Sequence, residues 1–227
     1  LRLLTTNART KDGTGTIDDQ AWFSETLSCN VYDSPARRAA LSSCGWTGKS
    51  DLSMVMAECE ALGEYERSAA LAVWHEDVGA AVEALQRGSE AVRLRSARGG
   101  NGSLPTSSRY AETLGLISMC IAGFGGKTDA QRGVWRRACA SLLLRDDLSS
   151  VRARNSRVSY LRGLCEFLMS AGTVESHVMI LENSHLSLCD RVAFACRFLE
   201  KEELIAYLMK CVEDSQQQAD VEGLVIT

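Results

Sequence analysis

The residues whose types and order could do chemistry are two glycine-lysine stretches, GWTGKS at 45–50 and GFGGKT at 123–128. Both imitate a phosphate loop, in which backbone amides wrap phosphates and a lysine neutralises them. That loop needs a further glycine five residues before the Gly-Lys-Ser/Thr, and it must follow a β-strand. The required positions hold Ser43 and Ile121, and both stretches follow helical patterns. They read instead as glycine helix stops, with a serine or threonine opening the next helix.

Metal chemistry would need clustered cysteine and histidine ligands. Cys189 and Cys196 fall on one helical face but lack a second pair, and His177 and His185 belong to different helices. Core cysteines and surface histidines are the expected reading. A nucleophile would need a histidine and an orienting acid beside it. His75 is the only histidine before residue 177, and its place at a break between two helices suits a C-terminal cap. Arg145, Arg152, Arg154, Arg157 and Arg162 form a basic run with Tyr160 its one aromatic, which reads as a solvated helix entrance rather than a nucleic-acid surface. No catalytic, cofactor-binding or metal-binding residue is assigned, no cofactor is expected, and the partner-binding residues are unknown.

The elements that carry these residues are helical. Ala and Leu are plentiful, aromatics make up 6%, and only Pro35 and Pro105 occur. Ser34-Pro35 is a helix start, and PARRAALSSC stops at Gly45. The next helix, capped by Ser50 or Asp51, should bury Leu52, Val55, Met56, Cys59 and Leu62 and end at Gly63. Residues 64–87 form two short helices broken near His75–Asp77. Tyr65, Ala69, Ala72 and Val73 lie on the first, and Val78, Ala81, Val82 and Leu85 on the second, with small residues that allow close antiparallel packing. Further helices are expected at about 109–123, 129–145 (with Thr128 and Gln131 as a capping box), 156–171, 174–183, 186–200 and 201–215. In the last of these, Leu204, Ile205, Leu208 and Cys211 share one face. Trp46, Trp74 and Trp135 read as core anchors.

Residues 1–33 read as a linker with a candidate first helix at 17–31, and 34–227 as an all-α solenoid of stacked antiparallel helix pairs with a flexible Gly/Ser-rich loop at 95–108. The first residue is Leu1 and VEGLVIT at 221–227 resembles a cut helix, so the chain is expected to be a piece of a longer protein and marginally soluble alone. The 227 residues are 45% apolar with a net charge of −4, which implies no strong electrostatic partner. The nine cysteines are irregularly spaced without a CxxC, which suits reduced, buried thiols of a cytosolic protein. The apolar stretch 114–124 is too short to span a bilayer.

DRVAFACRFLEKEELIAYL at 190–208 resembles a stretch of the Mio (missing oocyte) family, the WD-repeat and α-solenoid subunits of the SEA/GATOR complexes. RRAALSSCGW at 37–46, GEYERSAALAVWHEDVGAAVEAL at 63–85 and VEGLVIT agree in order, and GVWRRACASL at 133–142 is a looser match. The similarity runs over about residues 34–227. It implies a non-catalytic scaffold segment between a WD-repeat propeller and a zinc-binding, RING-like terminus, neither of which falls within these residues. It also implies protein partners in a SEA/GATOR-like complex, small WD-repeat β-propeller proteins among them, that relays amino-acid sufficiency to the TOR kinase. The place implied is the cytoplasm, with recruitment to the lysosomal or vacuolar surface, without nucleic acid or membrane insertion. The alternatives are a vesicle-coat or clathrin-repeat solenoid and, from another class, a helical enzyme or nucleotide-binding domain.

Overall fold

A computed structural model describes residues 30–46, 51–98, 105–124, 129–145, 156–170 and 174–217. Among them are ten α-helices and no strand: α1 (Pro35–Ser43), α2 (Leu52–Ala61), α3 (Tyr65–Trp74), α4 (Val78–Arg98), α5 (Pro105–Ala122), α6 (Asp129–Leu143), α7 (Ser156–Ser170), α8 (Val174–Leu181), α9 (Leu188–Phe198) and α10 (Lys201–Gln217).

Local chemistry sets the first turns. Extended Ser34 accepts the Arg37 amide on its hydroxyl at 3.2 Å, and Pro35 follows in the first turn. α1 and α2 then end alike. Gly45 and Gly63 take φ of 77° and 76°, and the amides of Trp46 and Glu64 reach back to the carbonyls of Leu41 and Cys59, each at 2.8 Å. This is the Schellman arrangement, which places a left-handed residue just past the cap. α3 ends the same way with a different residue in the left-handed seat. Glu76 has φ of 67°, and Asp77 N–H donates to the Ala72 carbonyl at 2.8 Å. A side chain in that conformation costs roughly 1–2 kcal/mol. Glu76 holds it while its carboxylate reaches Arg197 of α9 at 3.5 Å, both side chains being largely buried. Asp77 also opens α4, since its carboxylate accepts the Ala80 amide at 2.8 Å.

α3 lies at the centre. It packs on α2, α4 and α7, and Ser68 through Trp74 are all buried. Ala69, Ala72, Val73, Ala81 and Leu85 are fully buried between α3 and α4, as their spacing predicts, while Tyr65, Val78 and Val82 stay at the margin. α4 packs along α5, and α5, α6 and α7 follow in order. Two junctions leave the sequence order: α3 meets α7, and α1 meets α9. The second is bonded as well as packed. Tyr32 N–H donates to the Arg197 carbonyl at 2.9 Å, and the Arg37 guanidinium donates to the carbonyls of Cys196 and Leu199 at 2.6 and 2.9 Å. A cation thus closes the negative end of α9.

Several expectations are corrected. The loop is shorter than its composition suggests: α4 continues through Arg98 and α5 begins at Pro105, where proline suits a first turn. Residues 99–104 lie outside the described residues, as do 17–29 of the candidate first helix, while Asn30 and Val31 are not helical. Leu62 is 72% exposed because it is the C-cap of α2 and points away before Gly63. Ile205 is 52% exposed on the flank of α10, whereas Leu204, Leu208 and Cys211 face inward. Asp51 occupies the cap position of α2 without a side-chain capping bond, and Ser50 and Thr128 are outside the described residues.

Among the described glycines, Gly88 of α4 has the tightest surroundings, against Tyr65 of α3. A Cβ there would stand 2.7 Å from Tyr65 Cβ, which the backbone fixes and no rotamer change can move, and 2.9 Å from its Cγ. Gly88→Ala gains about 1 kcal/mol of helix propensity and incurs roughly 1–3 kcal/mol of overpacking as α3 and α4 separate. Urea melts should show a net loss for Gly88→Ala. Gly133→Ala, where the nearest side-chain atom is Arg137 Nη1 at 3.8 Å, should instead gain stability. Equal effects at both positions would reject the close crossing.

Candidate functional site

The strongest concentration of polar chemistry in the core is built on Asp190, in the first turn of α9 and 0% exposed. Three elements deliver its partners. Trp46, just past α1, donates from Nε1 to Oδ1 at 3.0 Å. Arg67 of α3 donates from Nε to Oδ2 at 2.8 Å and from Nη2 to Oδ1 at 3.2 Å, a forked contact. The Tyr160 hydroxyl of α7 donates to Oδ2, and accepts the Ser187 amide at 3.2 Å. Burial pushes the Tyr160 hydroxyl well above its usual range, and the Asp190 charge adds to the shift, so the phenol stays protonated as a donor. Both carboxylate oxygens are engaged and the residue has no exposed surface, so Asp190 cannot reach a substrate. It fastens α1, α3, α7 and α9 to one another.

Aromatic rings pack around this hub. Trp74 is fully buried, stacked on Trp46 with centroids 5.8 Å apart and edge-on to Phe194 at 5.6 Å. Trp135 donates to the Cys120 carbonyl at 2.6 Å and meets Phe124 edge-on at 5.0 Å. All three tryptophans are core anchors, as their positions predict. His75 is the C-cap residue of α3; its ring nitrogen Nδ1 donates to the Leu71 carbonyl at 2.8 Å, and its ring lies 4.8 Å from Trp46.

The phosphate-loop imitations are helix ends. Gly45 is the left-handed residue after α1, and Gly123 is the turn after α5. The two positions that lack the required glycine do other work. Ile121 is fully buried core, and Ser43 donates its hydroxyl to the Ala39 carbonyl at 3.1 Å. Residues 47–50 and 125–128 lie outside the described residues.

The eight described cysteines are free thiols, six of them buried. Burial pushes the Cys44 thiol up to about 12, with Cys189, Cys196 and Asp190 nearby adding to the shift. Cys44 is thus a packing residue with little thiolate at neutral pH.

His177 departs from the surface position expected for it. It is half-buried, 5.6 Å from Phe194 and 6.0 Å from Phe198, and its Nε2 is buried without a hydrogen-bond partner. His185 is exposed. Burial lowers the His177 pKa below 6.5, against a weaker pull from Glu203. A lowered folded value means that the unfolded chain binds the proton first. Stability at this residue is therefore intact above the unfolded pKa and falls as the pH drops through about 6.5 toward the folded value. His177→Phe should flatten this part of the stability profile between neutral pH and pH 5, measured as the difference in urea midpoint from the parent chain. An unchanged slope would show that His177 does not titrate with unfolding.

The basic run is divided. Arg145, Arg157 and Arg162 are half-buried rather than fully solvated, and Arg152 and Arg154 lie outside the described residues. The Asp190 hub itself escapes a reading by motif, since Arg67 is 123 residues away and Trp46 is 144. The available signal was indirect: RRAALSSCGW ends on Trp46, GEYERSAALAVW contains Arg67 and Trp74, and DRVAFACRF begins with Asp190.

No helix among the described residues is long and apolar enough to cross a membrane. A family model described as MIOS, alpha-solenoid, matches residues 4–198. A Xenopus laevis protein named GATOR2 complex protein MIOS-A is 30% identical over 227 residues, covering 97% of this chain and 22% of its own length. The Dictyostelium discoideum GATOR2 complex protein MIOS is 27% identical over 208 residues, 87% of this chain and 18% of its own. The Drosophila melanogaster GATOR2 complex protein Mio is 25% identical over 198 residues, 86% of this chain and 19% of its own. The chain thus spans about a fifth of the length of the curated relatives it matches. No solved structure matches.

Proposed function

Since the chain belongs to the MIOS family through its α-solenoid, we propose that it is a non-catalytic scaffold segment of a GATOR2-type complex subunit, acting in the relay of amino-acid sufficiency to the TOR kinase. The observation that carries this reading is the solenoid match across residues 4–198. The internal chemistry supports it. The buried carboxylate, the thiols and the tryptophans are engaged in holding helices together, which suits a part whose product is fixed geometry. Stacked helix pairs share a continuous core, so such a rod keeps distant modules at a set spacing and offers helix faces to partners. The same reading assigns 34–227 to the solenoid segment. Its partners are protein subunits, small WD-repeat propellers included, and its place is the cytoplasmic face of the lysosome or vacuole.

The test is affinity purification of the full-length protein, intact and with this segment deleted, followed by mass spectrometry. Nutrient-signalling subunits should co-purify with the intact protein, and part of that set should be lost on deletion. Recovery of vesicle-coat and cargo proteins instead would favour the coat-type solenoid and reject this reading.

A further inference from the structure

One member of the basic run is set in a place that the scaffold reading does not use. Arg157, second residue of α7, and Arg95, near the C-terminal end of α4, converge over Gly63 in the turn between α2 and α3. Their Nη2 atoms lie 3.7 and 3.9 Å from the point where a Cβ on Gly63 would stand, and beyond its chain neighbours nothing else comes within 4 Å of that point. Arg157 is half-buried and Arg95 exposed.

Two guanidinium groups over one bare glycine repel each other unless an anion lies between them. The acids nearby are committed elsewhere. Glu60 pairs with Arg87 at 2.7 Å, and Glu64 pairs with Arg67 at 3.3 Å. Glu66 of α3 faces Arg157, but it is 1% exposed and its Oε1 accepts the Tyr110 hydroxyl. Its Oε2 is buried and makes no hydrogen bond, so the guanidinium is not seated on it. Burial also raises the Glu66 pKa, which weakens its claim on Arg157. Neither Arg95 nor Arg157 forms an ion pair within 4 Å among the described residues. The first turn of α7 adds the positive end of its dipole.

We infer that Arg95 and Arg157, above Gly63, form a binding niche for a phosphate monoester. The group that fits is one oxyanion with charge near −2, which matches two guanidinium charges and offers oxygens to both forks. The missing side chain of Gly63 leaves room for it. The source is either a phosphorylated side chain of a partner or free phosphate. The niche stands independently of which complex the scaffold serves.

The experiment uses the full 227-residue chain and titrates inorganic phosphate, phosphoserine and serine at constant ionic strength, followed by NMR or calorimetry. Phosphate should bind saturably in the millimolar range, and serine should not bind. Arg95→Ala, an exposed substitution that leaves the core intact, should weaken binding by about tenfold, the loss of one charge-assisted contact. Arg157→Ala should do the same. Arg93→Ala, an exposed arginine on the same helix, should leave it unchanged. Phosphoserine binding more tightly than phosphate points to a phosphorylated partner segment, and equal affinities point to free phosphate. Absence of saturable binding at tens of millimolar overturns the site. So does an Arg95→Ala affinity equal to the parent's, or an equal loss in Arg93→Ala.

Discussion

Asp190→Ala should destabilise the chain by about 3–5 kcal/mol, the usual consequence of removing one member of a buried ion pair. The substitution strips four donor contacts at once. Arg67 keeps its charge with its side chain 28% exposed, and the Trp46 indole N–H and the Tyr160 hydroxyl lose their acceptor inside the core. Each buried donor left without a partner costs roughly 1–3 kcal/mol. Against a total stability of about 5–15 kcal/mol, this is enough to bring the chain near unfolding at body temperature. At roughly 2–4 °C per kcal/mol for a domain of this size, the thermal midpoint should fall by about 6–20 °C. Asp190→Asn keeps the volume and one acceptor but no charge, and should lie between the two. The contribution is also one of geometry, because the bonds run from α9 to α3, α7 and the end of α1. Loss of the carboxylate should therefore loosen α1 first, seen as faster amide exchange at residues 35–46. An Asp190→Ala chain melting with the parent would mean that the hub contributes nothing net.

How far the sequence foretold this arrangement depends on the range of the interactions involved. Short-range features were legible. Ser34-Pro35, Gly45 and Gly63 act within their own turns, and the structure places a cap or a left-handed glycine at each. The α3–α4 pair was legible because alanines at helical spacing admit few other packings, and the break at 75–77 because the apolar pattern changes phase there. The residue that makes the break was not legible. A glutamate at φ of 67° is intelligible only once Arg197 is known to lie beside it, more than a hundred residues on. The same holds for Arg37 closing the end of α9, and for His177, whose surface or core position depends on Phe194 and Phe198 in another helix. Composition misjudged the edges of the Gly/Ser segment, because it averages over residues that the neighbouring helices claim. Arg95 and Arg157 are separated by α5 and α6 in sequence, so the basic run showed only one of the two arginines at Gly63.

Trp74→Ala is the second substitution expected to approach global unfolding, and its comparison with Trp74→Phe separates two terms of opposite sign. The side chain is fully buried, with Trp46, Tyr160 and Phe194 around it, and a Cβ on Gly163 of α7 would stand only 3.6 Å from its Cζ2. Truncation to alanine leaves a cavity between α3, α7 and α9 and should cost about 3–5 kcal/mol. The indole N–H works against the ring's own contribution, since Nε1 is buried with no hydrogen-bond partner, a penalty of roughly 1–3 kcal/mol. Trp74→Phe keeps most of the apolar body and removes that orphaned donor. The lost volume and the relieved N–H should nearly cancel, leaving Trp74→Phe within about 1 kcal/mol of the parent. Chemical denaturation of the three chains decides the matter. If Trp74→Phe falls as far as Trp74→Ala, the indole nitrogen is satisfied in solution and the ring's whole volume is required. If Trp74→Ala is tolerated, the core between α3, α7 and α9 can collapse onto the vacancy, and the rigidity assigned to the scaffold does not come from this packing.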